Sequence, residues 1–113
     1  MTDDYAARID ARQAYVLESE DRIRGLVVLV PEDGAMLLDN IAVDPAAQGS
    51  GFGGMLLAFA EEAARAAGYP VIRLYTNAAM TENIARYLRI GYVETHRGGE
   101  KGFRRVYMEK TLG

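Results

Sequence analysis

Hydrophobic and polar residues change rhythm halfway along the chain. Up to Val43 the apolar residues fall in short, largely β-branched runs; from Leu56 onward they recur at helical spacing. Residues 14–18 read as a strand, Glu20-Asp21-Arg22 as a turn leading through Gly25, and Leu26-Val27-Val28-Leu29-Val30 as a second strand. Asp33-Gly34 then sits between apolar runs, where a hairpin reversal is expected, and residues 36–43 supply the third strand. This half predicts an antiparallel meander. Leu56, Phe59, Ala60, Ala63, Ala64 and Ala67 line one side of a helix, with Glu61, Glu62 and Arg65 toward solvent and Gly68 as its stop. Residues 71–76 form a strand, and the intervening helix predicts that it lies parallel to the third.

A second helix is expected from Thr81, as N-cap, to Ile90, with Ile84, Tyr87 and Leu88 inward and Gly91 at its end. Residues 92–96 and 103–112 read as the last two strands, joined by a polar loop over residues 97–102. In the first twelve residues Tyr5, Ala6 and Ile9 can share one face of a short helix, which propensity alone leaves open. The fold class is α/β: a mixed α+β sheet, with an antiparallel meander followed by a βαβ unit around a central parallel pair.

Composition narrows the function. A chain of 113 residues without internal repeat or linker fits one domain over residues 1–113. The absence of cysteine excludes a disulfide, a thiolate metal site and a cysteine nucleophile, and the single histidine, His96, does not make a zinc site. His96 reads as a solvated surface residue. A net charge of −3 argues against a nucleic-acid partner. The longest aliphatic run, residues 26–30, is far below the ~18–20 residues that span a bilayer, and the acidic start Met1-Thr2-Asp3-Asp4 lacks the features of a signal peptide. The expectation is a cytoplasmic protein with no metal, membrane or nucleic-acid partner.

The chemistry concentrates in Asp44-Pro45-Ala46-Ala47-Gln48-Gly49-Ser50-Gly51-Phe52-Gly53-Gly54, between a strand and a helix. A glycine-rich turn opening a helix presents free backbone N–H groups and the positive end of the helix dipole, which together make an anion site. Gly49-x-Gly51-x-x-Gly54 satisfies the dinucleotide fingerprint as text. However, five residues intervene after the strand, and the next strand ends Tyr75-Thr76-Asn77 without the acidic residue that holds a ribose. A P-loop is excluded because no Gly-Lys-Ser/Thr follows the glycines. A tight turn with close helix packing is the plain alternative.

Gln48-Gly49-Ser50-Gly51-Phe52-Gly53 also resembles the Gln/Arg-x-x-Gly-x-Gly/Ala signature of the GNAT-type N-acetyltransferases, and Ile41-Ala42-Val43-Asp44-Pro45 resembles the strand end before it. Asn83-Ile84-Ala85-Arg86-Tyr87-Leu88-Arg89-Ile90-Gly91-Tyr92 is similar to the family's second cofactor helix, and residues 105–112 to its final strand. The likeness spans residues 14–112. It implies the acyl-CoA N-acyltransferase fold, acetyl-CoA as acyl donor and a primary amine as acceptor, reacting directly in a ternary complex.

The resemblance assigns the diphosphate to the amides of Gly49, Gly51, Gly53 and Gly54, with Gln48, Ser50 and Phe52 among them. It assigns the pantetheine arm to the backbone of Ile41, Ala42 and Val43. Tyr87, four residues before Gly91, matches the tyrosine that protonates the departing thiolate; helical spacing alone favours a core tyrosine, and the match to the motif reverses that preference. Asn83, one turn earlier, either binds the cofactor or polarises the helix start. Asp39 is the first candidate general base, with Asn40 positioning a water and Glu18 more remote, although Asp39 also fits a plain strand-edge carboxylate. Leu37 stands near the position of the glutamate base in histone-acetylating members. Only about a dozen residues precede Ala14, where the family usually has a strand and two helices, so the fold is expected to be N-terminally truncated. A homodimer is expected to cover the exposed sheet. The alternative function is an acyl-CoA-binding or regulatory module without catalysis.

Overall fold

The structure, a computed structural model, describes residues 2–4, 13–47, 49, 51–100 and 103–113. The expected helix around Tyr5, Ala6 and Ile9 lies outside those residues, as do Gln48 and Ser50. The strands are β1 (Thr2–Asp4), β2 (Gln13–Ser19), β3 (Arg22–Glu32), β4 (Ala35–Val43), β5 (Val71–Asn77), β6 (Val93–Glu100) and β7 (Phe103–Thr111). The helices are α1 (Phe52–Ala66), between β4 and β5, and α2 (Thr81–Arg89), between β5 and β6. They build one seven-stranded sheet in the order β1-β2-β3-β4-β5-β7-β6. This is the mixed sheet of the acyl-CoA N-acyltransferase fold. Among the described residues, β4 and β5 are the only neighbouring strands that pair in parallel.

Local chemistry sets the turns. Ser19 pairs directly with Arg22, so Glu20 and Asp21 form a two-residue hairpin, both with positive φ of 54° and 62°. Arg22, expected in this turn, already belongs to β3. At the other end of that strand the Asp33-Gly34 reversal falls where the sequence places it. The last hairpin is tighter than expected: β6 runs to Glu100 and β7 starts at Phe103, so the polar residues 97–100 belong to an edge strand.

Both crossovers, β4-α1-β5 and β5-α2-β6, step the same way across the sheet, so right-handed connections put both helices on one face. Leu56, Leu57, Ala60 and Ala64 of α1 and Tyr87 of α2 bury there against Val27, Leu29, Leu38, Ile72, Leu74, Val106 and Met108. α1 presses close at Gly25, where a Cβ would meet Leu56 Cδ1 at 2.8 Å and the Ala42 carbonyl at 2.9 Å.

Four side chains depart from the helical pattern. Glu61, expected in solvent, is buried, and Lys110 Nζ on β7 donates to its Oε1 and Oε2 at 2.9 and 3.1 Å. The pair fastens the middle of α1 to the sheet, which an amphipathic template reads as a solvated charge. Leu88, expected inward, is 50% exposed, because α2 is short and turns Tyr87 to the core instead. Ala67 is exposed at the C-cap of α1. Thr81 is the first helical residue, with Met80 at the N-cap and no side-chain cap; Asn77 Oδ1 instead accepts from the Ala79 amide at 2.8 Å.

The parallel pair is short. It holds Met36 to Ile72 and Leu37 to Arg73 and then stops, although β4 continues to Val43 and β5 to Asn77. Just beyond, Asp39 is the extra residue of a bulge between the pairs Leu29–Leu38 and Val28–Asn40. The bulge flips the alternation of β4. Leu38 before it and Ile41 and Val43 after it, paired with Leu29, Val27 and Gly25, face the helices. The strands part there, and the gap opens on the first turn of α1.

Candidate active site

A cavity of about 500 Å³ lies against the end of β4 that β5 leaves unpaired. Ile41, Ala42 and Val43 of β4 form one wall, Gly49, Gly51, Phe52 and Gly53 another, and Asn83, Arg86 and Tyr87 of α2 a third, with Ala47 and Leu57 behind them. The loop is anchored at its start. The Asp44 amide donates to the Arg24 carbonyl at 2.7 Å, and Asp44 Oδ1 accepts from the Ala46 amide at 3.0 Å. Pro45–Ala47 then makes one turn of 3-10 helix. Gly49 and Gly51 adopt φ of 87° and 85°, a conformation that only glycine takes without strain.

Gly51 is the N-cap of α1 and carries no side chain to cap it. The helical ladder begins with the Met55 amide on the Gly51 carbonyl, at 3.1 Å, so the N–H groups of Phe52, Gly53 and Gly54 have no intrahelical acceptor. Three donors and the positive end of a 15-residue helix thus sit beside the cavity. Arg86 adds a full charge. A Cβ built on Gly53 would lie 2.9 Å from its Nη2 and 3.0 Å from Nη1. The residues therefore fit a diphosphate: amides, dipole and guanidinium converge on the first turn of α1.

Tyr87 is 9% exposed, with its ring 5.8 Å from that of Tyr92. Burial raises the Tyr87 phenol above its ordinary value, and the neighbouring Arg86 charge pulls it back. The group is neutral near pH 7 and holds a proton to give. Tyr92 is more deeply buried, its hydroxyl finds no hydrogen-bond partner among the described residues, and burial, with the nearby Glu61 carboxylate second, raises its phenol strongly.

The cavity brings together Ile41, Ala42, Val43, Gly49, Gly51, Phe52, Gly53, Asn83 and Tyr87. Gly54 is exposed on the first turn of α1 and lies outside the lining. Asp39 and Asn40 lie outside it too; Asn40 pairs with Val28 on the sheet face away from the helices, and Asp39 is half-buried at the bulge. Glu18 is exposed on β2. His96 is exposed on β6, the edge strand, and stacks on Tyr107 at 4.2 Å. Arg86 was not foreseen. Its signal was spacing: it follows Asn83 by three residues, so a helix that turns one to the cavity brings the other there.

Comparison with known proteins agrees with this geometry. Residues 10–94 match the family model described as an acetyltransferase (GNAT) domain. A sequence search of curated proteins finds no significant match. Among solved structures, a GNAT family acetyltransferase from Elizabethkingia anophelis with acetyl-CoA bound superposes with a TM-score of 0.81 at 23% identity, covering 90% of this chain and 77% of that one. The ribosomal-protein-S18-alanine N-acetyltransferase of Escherichia coli gives 0.85 at 19% identity, over 96% of this chain and 74% of that one. An acetyltransferase from Bacillus subtilis in complex with CoA gives 0.82 at 21%, over 93% and 80%. The chain spans 66% of the length of a nourseothricin acetyltransferase of the same fold. These identities carry the fold; the family model carries the membership. The chain belongs to the GNAT acetyltransferase family.

Proposed function

We infer that the protein is an N-acetyltransferase that moves the acetyl group of acetyl-CoA directly to a primary amine while both are bound. The observation that supports this most is the cavity, which runs from uncapped helix amides to a buried, neutral tyrosine. Acetyl-CoA supplies an acetyl thioester. The amides of Gly49, Phe52, Gly53 and Gly54 are assigned to its diphosphate, and residues 41–43 of β4, which pair with β3 but not with β5, to its pantetheine amides. A backbone N–H of that stretch beside the carbonyl oxygen would be worth about 3 kcal/mol as negative charge develops there.

Tyr87 is assigned as the acid that protonates the leaving sulfur. An ordinary phenol near ~10 giving a proton to a thiolate near ~8.5 is uphill by about 2 kcal/mol, and burial of Tyr87 adds to that, so the transfer belongs with C–S cleavage and demands close placement. The amine must lose a proton before attack, and no carboxylate stands among the described lining residues. A water held near Asn40 and relayed to Asp39 is the assigned route. That same gap favours a second reading, a module that binds acyl-CoA without turnover.

A second copy of the chain is the assigned cover for the helix-free sheet face, where Val16, Leu26, Val28, Val30 and Leu37 stay only half-buried. Assaying acetyl-CoA consumption over polyamines, aminoglycosides, amino acids and N-terminal peptides, with Tyr87→Phe as control, tests the enzyme reading. Turnover of one class that drops in the control supports it. Thermal stabilisation by CoA with no turnover of any amine selects the module.

A further inference from the structure

Arg86 stands in the cavity wall beside the first turn of α1. It is exposed, and among the described residues no carboxylate pairs with it. Its charge faces the positive end of α1, a like-sign approach that is unfavourable without an anion between. The orientation is specific. A Cβ on Gly53 would be 2.9 Å from Nη2, 3.0 Å from Nη1 and 3.3 Å from Cζ. Two nearly equal nitrogen distances, both shorter than that to the carbon, mean that the forked edge of the guanidinium is turned to the loop, not its flat face. That edge binds phosphate through two parallel hydrogen bonds. Arg86 also precedes Tyr87 on a helix of only nine residues that lacks a side-chain N-cap.

We propose that Arg86 clamps α2 onto the diphosphate of the acyl donor, so that the donor's phosphates, held between the first turn of α1 and Arg86, fix the helix that carries Tyr87. Arg86 is thereby a specificity residue for donors bearing a diphosphate and a positioning residue for Tyr87. The inference rests on the coenzyme A reading above and assigns a task to a side chain outside the glycine loop. A clamp of this kind makes affinity depend on the phosphates, while the pantetheine arm is held elsewhere by β4.

Calorimetry with CoA and with pantetheine, which lacks the diphosphate, separates the possibilities in wild-type, Arg86→Ala and Arg86→Lys proteins. The expected result is at least a tenfold loss of CoA affinity in Arg86→Ala and less than a twofold loss for pantetheine, so that the preference for CoA collapses. Lysine restores part of it, as a charge without the fork. Hydrogen exchange supplies the positioning readout: CoA should slow exchange of amides 84–90 in the wild-type protein and fail to do so in Arg86→Ala at saturating CoA. Equal losses for both ligands, or unchanged CoA affinity, overturn the proposal. A wild-type protein that binds neither ligand overturns the coenzyme A reading together with it.

Discussion

The two faces of the sheet are built to different standards. On the helix face Val27, Leu29, Ile72, Val106 and Met108 are each at or near full burial. On the other, Val16, Leu26, Val28, Val30 and Leu37 are half-buried, and no helix among the described residues covers them. That face carries ion pairs instead, with Arg73 Nε 2.8 Å from Glu109 Oε2 and its Nη1 3.6 Å from Glu32 Oε1. Beside them lies a groove of about 550 Å³ lined by Leu37, Tyr75, His96 and Tyr107. The difference teaches where information about function resides. The face that carries the cavity is closed by α1 and α2, while the opposite face has no helix over it among the described residues.

Neighbouring leucines on β4 test this directly, since Leu38 points to the helices and Leu37 away from them. Leu38→Ala should cost about 3 kcal/mol in urea unfolding, as a cavity in a closed core does. Next in size, Tyr87→Phe should lower kcat by on the order of 30-fold, about 2 kcal/mol, with CoA affinity nearly unchanged. Because burial raises the Tyr87 phenol, the alkaline fall in rate that reports its deprotonation should lie above pH ~10 and vanish in the variant. Leu37→Ala should cost only about 1 kcal/mol at low protein concentration. A cost approaching that of Leu38→Ala, growing with concentration, would mean that a second copy roofs the open face.

The smallest expected effect is the most counterintuitive. The Tyr92 hydroxyl is buried without a partner among the described residues, so Tyr92→Phe should leave stability unchanged or raise it by up to about 1 kcal/mol. The sign with pH follows from linkage. The folded-state phenol is raised, so its contribution is fully present below the unfolded value near ~10 and is lost as pH rises through the higher folded value. The variant should flatten that alkaline loss.

How much of this was legible in the sequence depends on how local each signal is. The Asp33-Gly34 hairpin, the Gly68 stop and the parallel placement of β5 follow from turn chemistry and chain handedness, and all three hold. Glu61 departs from its expected place because its environment comes from a distant residue, Lys110 on β7, and Leu88 because the nine-residue α2 buries only Tyr87. The bulge at Asp39, which turns Ile41 and Val43 toward the cavity, needs the register with β3. Arg86 at Gly53 needs two helices brought together. The glycine loop was readable because positive φ and missing side chains are written into residue identity.

A crystal structure with CoA bound tests the central claim most directly. The account predicts diphosphate oxygens within hydrogen-bond distance, about 3 Å, of the amides of Phe52, Gly53 and Gly54, with the Arg86 fork on the same phosphates and the thiol near Tyr87. A diphosphate bound elsewhere, with the glycine loop facing bulk water, would contradict it.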